Sequence, residues 1–312
     1  MSNHHRDANS TRSGNDLFLD GKALGGTSET SRRAFLRNTT AAGLIGGFAV
    51  AARPIQAQQV ISTGFDGLDT GEAQIDENGI ELYAYFAKPK DAKGPLPTVI
   101  VCSEIFGVHE HIADIARRFA KQGYFAIAPE FFTRAGDPTA LGTVAEILKE
   151  IVGKTPDAQV MDDIRASLAW AAKNGGDPQC AGITGFCWGG RITWLACANI
   201  PQMKAGVAWY GRLVGEKSEN FPAHPVDLAK ELKAPVLGLY GEKDDGIPLE
   251  TVEKMKAALA QAAGNPAAQG SRFEIYPDAP HAFHADYRAT YREGAAKDGW
   301  QKCLAWFATH GV

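Results

Sequence analysis

The hexapeptide Gly-Phe-Cys-Trp-Gly-Gly at residues 185–190 requires a sharp turn of the backbone, and it directly follows the apolar run at residues 181–184. Glycines near Cys187 on both sides permit that turn, because a residue without a Cβ tolerates unusual backbone angles and close neighbours. Such a turn between a strand and a helix, the nucleophile elbow, presents its central side chain in a cleft and usually has serine at its centre. Cysteine at this position therefore predicts a hydrolase with a thiol nucleophile.

Two partners for the thiol follow in the C-terminal half of the chain. Asp244 lies in Gly-Glu-Lys-Asp-Asp-Gly-Ile-Pro at residues 241–248, and His281 lies in Ala-Pro-His-Ala-Phe at residues 279–283. In a triad, His281 would accept the thiol proton, and the carboxylate would hold the imidazole tautomer and stabilise the imidazolium. The order nucleophile, acid, histidine is that of the α/β-hydrolase fold. Asp245 is an alternative for the acid.

Strand-like and helix-like patterns alternate along the chain. Short apolar runs rich in β-branched and aromatic residues predict strands buried on both faces, at residues 81–87, 98–102, 125–128, 182–184, 206–209, 236–240 and 273–276. Helical patterns are clearest at residues 111–122, 157–173, 249–263 and 287–309. The alternation predicts one α/β domain, with a mostly parallel central sheet and helices on both faces. A polar loop at residues 211–225 could line or cover the cleft.

Four candidate site residues come directly after predicted strands: Glu104, Cys187, Asp244 and His281. The carboxyl ends of parallel strands meet at one edge of a sheet, so we expect these side chains to lie close together. The backbone amides of Ile105 and Trp188 are placed by the same topology to form an oxyanion hole for a tetrahedral intermediate.

The first 57 residues predict an export leader that is separate from the domain. The motif Ser-Arg-Arg-Ala-Phe-Leu-Arg at residues 31–37 precedes an apolar run of 14 residues at positions 39–52, the pattern of a twin-arginine signal peptide. Because a membrane span needs about 20 apolar residues, we expect cleavage near Ala57 and no permanent membrane anchor. The alternative is an N-terminal helix packed on the domain. The predicted organisation is a leader with signal peptide over residues 1–57, which the twin-arginine machinery recognises within residues 31–57, and a domain over residues 58–312 that is periplasmic or secreted.

Composition and motifs exclude several classes of function. A formal net charge of −4 provides no basic field for nucleic acid, and the chain has no glycine motif for a dinucleotide or a phosphate. His109 and His111 flank Glu110, but histidines spaced by two do not share a helix face, so this pattern does not predict a metal site. Five scattered cysteines do not suggest a disulfide scaffold. We expect a monomer without cofactor or metal that acts on a small molecule.

Taken together, the site motifs resemble the dienelactone hydrolase family (carboxymethylenebutenolidases). The resemblance covers roughly residues 70–310 and rests on Ser-Glu-Ile-Phe-Gly at 103–107, Pro-Glu-Phe-Phe-Thr-Arg at 129–134, the elbow at 185–190, Gly-Glu-Lys-Asp at 241–244 and His-Ala-Phe at 281–283. It implies an ester or lactone hydrolase in which Cys187, His281 and Asp244, favoured over Asp245, act through a thioester acyl-enzyme. It also implies that Glu104 holds the resting thiol and helps to deprotonate it when substrate arrives.

The resemblance indicates substrate-contacting residues as well. Arg134 corresponds to a family arginine that contacts the substrate carboxylate, for which an arginine fork is well suited. Members that cleave dienelactone have a serine directly after the catalytic histidine and an arginine two residues after the phenylalanine, where this chain has Ala282 and Ala285. His284 or Arg288 could replace that arginine, and a neutral or larger ester is an alternative substrate. The predicted pocket residues are Arg134, Phe106, Trp188, Tyr210 and His284.

Two other functions fit the same residues. A thioesterase or a peptidase would use the same triad and acyl-enzyme chemistry, and it would differ in its preferred leaving group. A non-catalytic binding protein that kept the fold is a rival of a different class, because a fold does not imply a function. The complete triad argues against that rival, since a degenerate site should have lost at least one member.

Overall fold

The computed structural model describes residues 60–77 and 79–312, and the predicted signal peptide lies outside them. Within these residues the strands are β1 (Leu68–Glu77), β2 (Ile80–Pro89), β3 (Leu96–Cys102), β4 (Phe125–Pro129), β5 (Gly176–Phe186), β6 (Met203–Trp209), β7 (Val236–Gly241) and β8 (Arg272–Tyr276). They form one sheet in the order β1-β2-β4-β3-β5-β6-β7-β8.

The pairing of the strands is mostly parallel. From β4 across to β8 every neighbouring pair is parallel, whereas β1 and β2 extend one edge in antiparallel pairing. Parallel strands are covered on both faces, and β4 and β7 accordingly consist of buried residues throughout. The predicted α/β-hydrolase architecture is confirmed.

Helices cover both faces of this sheet. In the described chain they are α1 (Glu110–Lys121), α2 (Val144–Glu150), α3 (Asp157–Lys173), α4 (Trp188–Asn199), α5 (Leu249–Gln261), α6 (Pro266–Gly270) and α7 (Glu293–Thr309), with 3-10 turns at Pro138–Ala140, Val152–Lys154 and Pro225–Glu231. Gly182 of β5 faces Phe307 of α7. The residue after Gly182 in β5, Ile183, pairs with Gly206 of β6, and Gly206 faces Thr193 of α4. Successive strand residues point to opposite faces, so α7 and α4 lie on opposite sides.

Several elements differ from the prediction. The polar edge strand β1 lacks the apolar run by which the other strands were predicted, and its residues are mostly exposed or half-buried. The short helix α2 is started by a capping box between Thr143 and Glu146. The predicted helix start at Tyr287 is wrong, because residues 287–292 form turns and α7 begins at Glu293. No helix in the described ranges has both the length and the apolar character needed to cross a bilayer.

Candidate active site

Cys187 lies at the tip of the turn between β5 and α4. Its φ and ψ are 56° and −113°, in the positive-φ region that residues with a Cβ rarely adopt. A Cβ on Gly185 would lie 2.1 Å from the carbonyl oxygen of Gly189, and one on Gly189 would lie 2.4 Å from the carbonyl oxygen of Cys102. The turn therefore has the geometry of an elbow, and close backbone contacts require its glycines.

Two hydrogen bonds fix this turn on the sheet. The Cys187 amide donates to the Trp209 carbonyl at the end of β6 (3.0 Å), and the Gly189 amide donates to the Ser103 carbonyl just after β3 (3.1 Å). Since β3 and β6 flank β5, the elbow is held from both sides. Cys187 also lies at the N-terminus of α4, where the helix dipole favours a negative charge.

Asp244 and His281 meet beside the elbow, on the loops after β7 and β8. His281 Nδ1 lies 2.7 Å from Asp244 Oδ2. Asp244 is 3% exposed, and its Oδ1 accepts hydrogen bonds from the amides of Gly246 (3.0 Å) and Ile247 (3.1 Å). Asp245 is exposed. Asp244 is thus the buried, anchored carboxylate that orients the imidazole.

His281 also forms a hydrogen bond with Cys187. Burial lowers the pKa of His281, but the charge of Cys187 and the hydrogen bonds to Asp244 and Cys187 outweigh burial and raise this pKa to about 10. A protonated imidazole and a thiolate at these positions stabilise each other. A thiol with a histidine within hydrogen-bond reach is the arrangement that activates a cysteine nucleophile.

The predicted oxyanion amides lie on the two segments next to Cys187. Ile105 comes two residues after Ser103, which accepts a hydrogen bond from the elbow, and Trp188 is the first residue of α4. Within the described ranges, neither amide donates to another backbone group. Both amides can thus donate to the carbonyl oxygen of a substrate, and this role stays a prediction.

Two of the predicted pocket residues, Trp188 and Tyr210, pack beside the proposed triad. The Trp188 ring packs against Phe132 and Phe131, at centroid distances of 4.9 Å and 5.7 Å. Tyr210, whose φ is 39°, places its ring edge-on to His281 at 5.1 Å. Both side chains hold neighbouring groups in place, and their contact with substrate stays a prediction.

Glu104 is 2% exposed, and its two carboxylate oxygens have different partners. Oε2 lies 3.1 Å from His109 Nε2, and Oε1 accepts a hydrogen bond from the Tyr287 hydroxyl at 3.2 Å. Burial raises the pKa of Glu104, but the charge and hydrogen bond of His109, with the charges of His111 and Arg288, hold this pKa well below its usual range. Glu104 is therefore ionised at neutral pH. Its oxygens are engaged by His109 and Tyr287, while the thiol of Cys187 is engaged by His281.

Arg288 brings a positive charge to the same region. Its guanidinium lies over the ring of Phe106 at 4.9 Å and over that of Tyr287 at 5.3 Å. Burial lowers the pKa of Arg288, but Tyr287, Glu104 and Cys187 outweigh burial and raise it. Arg288 thus supplies a cation that offsets the negative charges of Glu104 and a Cys187 thiolate.

Arg134, the predicted carboxylate-binding residue, is paired with two carboxylates of the protein. Its Nη1 lies 2.9 Å from Asp163 Oδ1, and its Nη2 lies 2.5 Å from Glu77 Oε2. Burial raises the pKa of Asp163 to about 6, although Arg134 opposes this shift. The guanidinium links the end of β1 to α3, and its contact with substrate stays a prediction.

His284, another predicted pocket residue, lies in the core beneath the site. It is 2% exposed, and its ring centroid lies 4.5 Å from that of Trp209 and 5.2 Å from that of Phe186. Burial, together with the charge of Arg118, lowers the pKa of His284 well below its ordinary value. This burial disfavours direct contact with a substrate, which remains a prediction.

The histidines at 109 and 111 and the glutamate between them do not converge. The Glu110 side chain pairs with Arg117, and His111 Nδ1 lies 3.1 Å from Asp286 Oδ1, while His109 turns toward the carboxylate after β3. Across residues 60–77 and 79–312, no three His, Cys, Asp or Glu side chains are grouped in a way that could hold a metal ion.

His109 and Tyr287 are not among the predicted site residues. The sequence pattern suggests His109 only as a metal ligand, and it predicts Tyr287 to lie in a helix. One sequence feature could have pointed to His109. A glycine three residues after Glu104 permits the chain to fold back on itself, and in the structure Gly107 does adopt a φ of 67°. No comparable signal marks Tyr287, which is positioned by an irregular loop.

Several known proteins resemble this chain over most of its length. The model of the dienelactone hydrolase family matches residues 82–311. A candidate carboxymethylenebutenolidase of Methylorubrum extorquens is 50% identical over 294 residues, which are 94% of this chain and 98% of that protein. A candidate 2-oxo-3-(5-oxofuran-2-ylidene)propanoate lactonase of Bradyrhizobium is 30% identical, covering 76% of this chain and 92% of that protein. The crystal structure of a candidate dienelactone hydrolase from Klebsiella pneumoniae has a TM-score of 0.75 at 56% identity, covering 78% of this chain and 99% of that chain. The chain therefore belongs to the dienelactone hydrolase family of ester and lactone hydrolases.

Proposed function

We propose that this chain hydrolyses carboxylic esters or lactones with Cys187 as nucleophile, His281 as acid and base, and Asp244 as the orienting carboxylate. The observation that best supports this proposal is that the three side chains are joined by hydrogen bonds, from Cys187 to His281 and from His281 to Asp244, with 2.7 Å between His281 Nδ1 and Asp244 Oδ2. Membership of a family of ester and lactone hydrolases supports the same chemistry.

In the first half-reaction, the Cys187 thiolate attacks the carbonyl carbon and forms a carbon–sulfur bond. The carbonyl oxygen becomes an oxyanion, to which the amides of Ile105 and Trp188 donate. Collapse of this intermediate breaks the bond to the alcohol oxygen, which takes the proton of the His281 imidazolium. The products are a thioester and an alcohol, and in a lactone the alcohol stays attached to the acyl group.

In the second half-reaction, a water molecule gives a proton to neutral His281 and attacks the thioester carbon. Collapse breaks the carbon–sulfur bond, releases the carboxylic acid and restores the Cys187 thiolate beside the imidazolium. Asp244 holds the imidazole tautomer and stabilises the imidazolium whenever it forms. The cycle needs no group other than these side chains, the two amides and water.

The proposal is tested by substituting Cys187 and comparing two substrates under reducing conditions. Cys187→Ala should lower hydrolysis of a dienelactone and of an uncharged aryl ester by at least about 10³-fold, because triad members act as a unit. Cys180→Ala, a half-exposed cysteine outside the site, is the control and should be unaffected. Hydrolysis that is unchanged in Cys187→Ala would overturn the proposal. The ratio between the two substrates in the parent shows whether an anionic or a neutral acyl group is preferred.

We further propose that residues 31–57 direct export through the twin-arginine machinery, so that the domain acts in the periplasm or outside the cell. The paired arginines before a short apolar run support this. Replacing Arg32 and Arg33 together by lysine should retain the protein in the cytoplasmic fraction of a bacterium with this pathway. Equal export of parent and variant would contradict the proposed route.

A further inference from the structure

His109 occupies the position before the first residue of α1, but it does not cap that helix. Its backbone is extended there, and its side chain makes no capping hydrogen bond. Serine, threonine, aspartate and asparagine are preferred at such a position because their side chains accept from free helix amides. The imidazole instead turns to the preceding loop, where its Nε2 lies 3.1 Å from Glu104 Oε2. Helix formation therefore does not account for this histidine.

The loop between Glu104 and His109 is built to bring the two side chains together. Gly107 has a φ of 67°, and its amide donates to the Glu104 carbonyl at 3.1 Å. The next amide, of Val108, donates to Glu130 Oε2 at 2.8 Å, which ties the loop to the end of β4. These two hydrogen bonds, each donated by a backbone amide of the loop, thus hold His109 close to Glu104.

The surroundings make the ionisation of Glu104 depend on its partners. The side chain of Glu104 is 3% exposed, and that of His109 is 16% exposed. Besides His109, the charged and titratable groups that act on Glu104 are Tyr287, whose hydroxyl donates to it, and His111, Arg288, Tyr210 and His284. The His109 ring itself packs against the rings of Tyr287 and His111, with 5.3 Å and 6.1 Å between ring centroids.

We propose that His109 is a positioning residue for the reaction at Cys187: its hydrogen bond holds Glu104 as a fixed, ionised carboxylate beside the site. The inference rests on the proposed function, since it takes Cys187 as the nucleophile. A carboxylate in so buried a place tends to take up a proton when its partner is removed. Glu104 and Cys187 both act on Arg288 and Tyr210, so a protonated Glu104 would change the charge around the nucleophile, and the reactivity of Cys187 would follow the protonation of Glu104.

Two substitutions separate the hydrogen bond from other effects of the imidazole. His109→Leu removes the donor, and His109→Gln keeps an N–H donor at a similar distance from the backbone without carrying a charge. Iodoacetamide modification of Cys187 is followed by peptide mass spectrometry from about pH 5 to pH 9, because alkylation reports the thiolate. The kcat and KM for the better of the two ester substrates are measured alongside.

The parent profile serves as the reference for each variant. His109→Leu should add an inflection from Glu104 to that profile, and its kcat should fall by about tenfold to a hundredfold, as for the loss of a hydrogen bond to a charged group, with little change in KM. His109→Gln should restore the parent profile and most of kcat. His310→Gln, a histidine at the end of α7 whose ring contacts Trp306, is the matched control and should equal the parent.

An alkylation profile of His109→Leu that overlays the parent profile would overturn the assignment, and so would a His109→Gln variant that behaves like His109→Leu. Thermal melting of each variant establishes that it is folded before the comparison is made. Alkylation needs no substrate, so this outcome is distinguishable from failure of the proposed function. Hydrolysis that persists in Cys187→Ala would remove the proposed function while leaving the alkylation result readable.

Discussion

Backbone strain in this molecule is concentrated at single residues around the site. In the described chain, the residues other than glycine with positive φ are Cys187, Tyr210, Asp278 and Ala282. Cys187 and Tyr210 follow β5 and β6, and Ala282 adjoins His281. Each such conformation costs about 1–3 kcal/mol and persists only where the surroundings fix it. Here hydrogen bonds such as those from the Cys187 and Tyr210 amides to the neighbouring strands fix the backbone.

Asp244→Asn tests the residue that orients the imidazole. The amide cannot stabilise an imidazolium as a carboxylate does, and it permits the wrong tautomer, so kcat should fall by about 10³–10⁴. One of the groups that raise the pKa of His281 is also lost. The imidazolium should therefore lose its proton at lower pH than in the parent, and the basic limb of the kcat profile should move to lower pH. Steady-state kinetics across pH measures both effects.

The adjacent Asp245 provides the control for this substitution. It is exposed, whereas Asp244 is buried, so Asp245→Asn should leave kcat within about twofold, as expected for a surface change away from the site. Similar losses in the two variants would contradict the assignment of Asp244 as the orienting acid.

At the scale of elements, regular strands hold the site and irregular loops shape it. Cys187, His281 and Asp244 follow three different parallel strands, which bring them to one edge of the sheet. The two hydrogen-bond partners of Glu104 come from two irregular segments, the loop before α1 and the turns before α7. Changes in those loops can alter the charge around the proposed nucleophile without moving the strands that carry the proposed triad.

Arg134→Met tests a link between elements. The guanidinium joins Glu77 of β1 to Asp163 of α3, and its loss leaves the buried Asp163 carboxylate without a counter-charge. The free energy of unfolding should fall by about 3 kcal/mol at pH 8, as for one partner removed from a buried pair. Burial already raises the pKa of Asp163 to about 6, and losing the arginine raises it further. The destabilisation should therefore be largest above that pKa and smaller at pH 5, where Asp163 is protonated.

Urea unfolding at pH 5 and pH 8 measures this effect. Arg165→Met is the matched control, because Arg165 pairs with the exposed Asp162 on the same helix, and exposed pairs contribute about 0–1 kcal/mol. The predicted contact of Arg134 with a substrate carboxylate competes with the two ion pairs of its guanidinium, and the KM of the folded variant for a dienelactone tests it. A KM equal to that of the parent would contradict the contact. A large rise in KM without loss of stability would instead indicate that Arg134 binds the substrate carboxylate.

For the whole molecule, the apolar runs of the buried strands made the central sheet predictable from the sequence. The parallel strands carry short apolar runs because both faces are covered, and the same runs place the triad at their ends. The polar edge strand β1 carries no such run. The helix prediction over residues 287–292 is wrong, because the local sequence pattern contains no information on tertiary contacts. Here those contacts hold Tyr287 against Glu104 and Arg288 against Phe106. Motifs thus locate the candidate catalytic residues, while the charges around those residues depend on long-range packing.

The cysteines offer a test of the folded molecule as one unit. Cys102, Cys197 and Cys303 lie in the same hydrophobic core, on β3, α4 and α7, and burial raises the pKa of each far above its ordinary value. Cys180 is half-buried, and burial together with Asp177 raises its pKa. In the native protein at pH 7, iodoacetamide should therefore modify Cys187 at least about tenfold faster than Cys180, because the thiolate is the reacting form. The three core cysteines should not react.

Adding urea should expose the three core cysteines together, because they lie on different layers of one cooperative domain. Pulse alkylation at increasing urea, read by peptide mass spectrometry, should give the same midpoint for each of them and for tryptophan fluorescence. An earlier midpoint for Cys303 would instead show that α7 detaches before the sheet unfolds. Since α7 follows the loop that carries His281, Tyr287 and Arg288, detachment of this kind would abolish Cys187 reactivity at the same urea concentration. A single midpoint ties the reactivity of the thiol to the stability of the entire core.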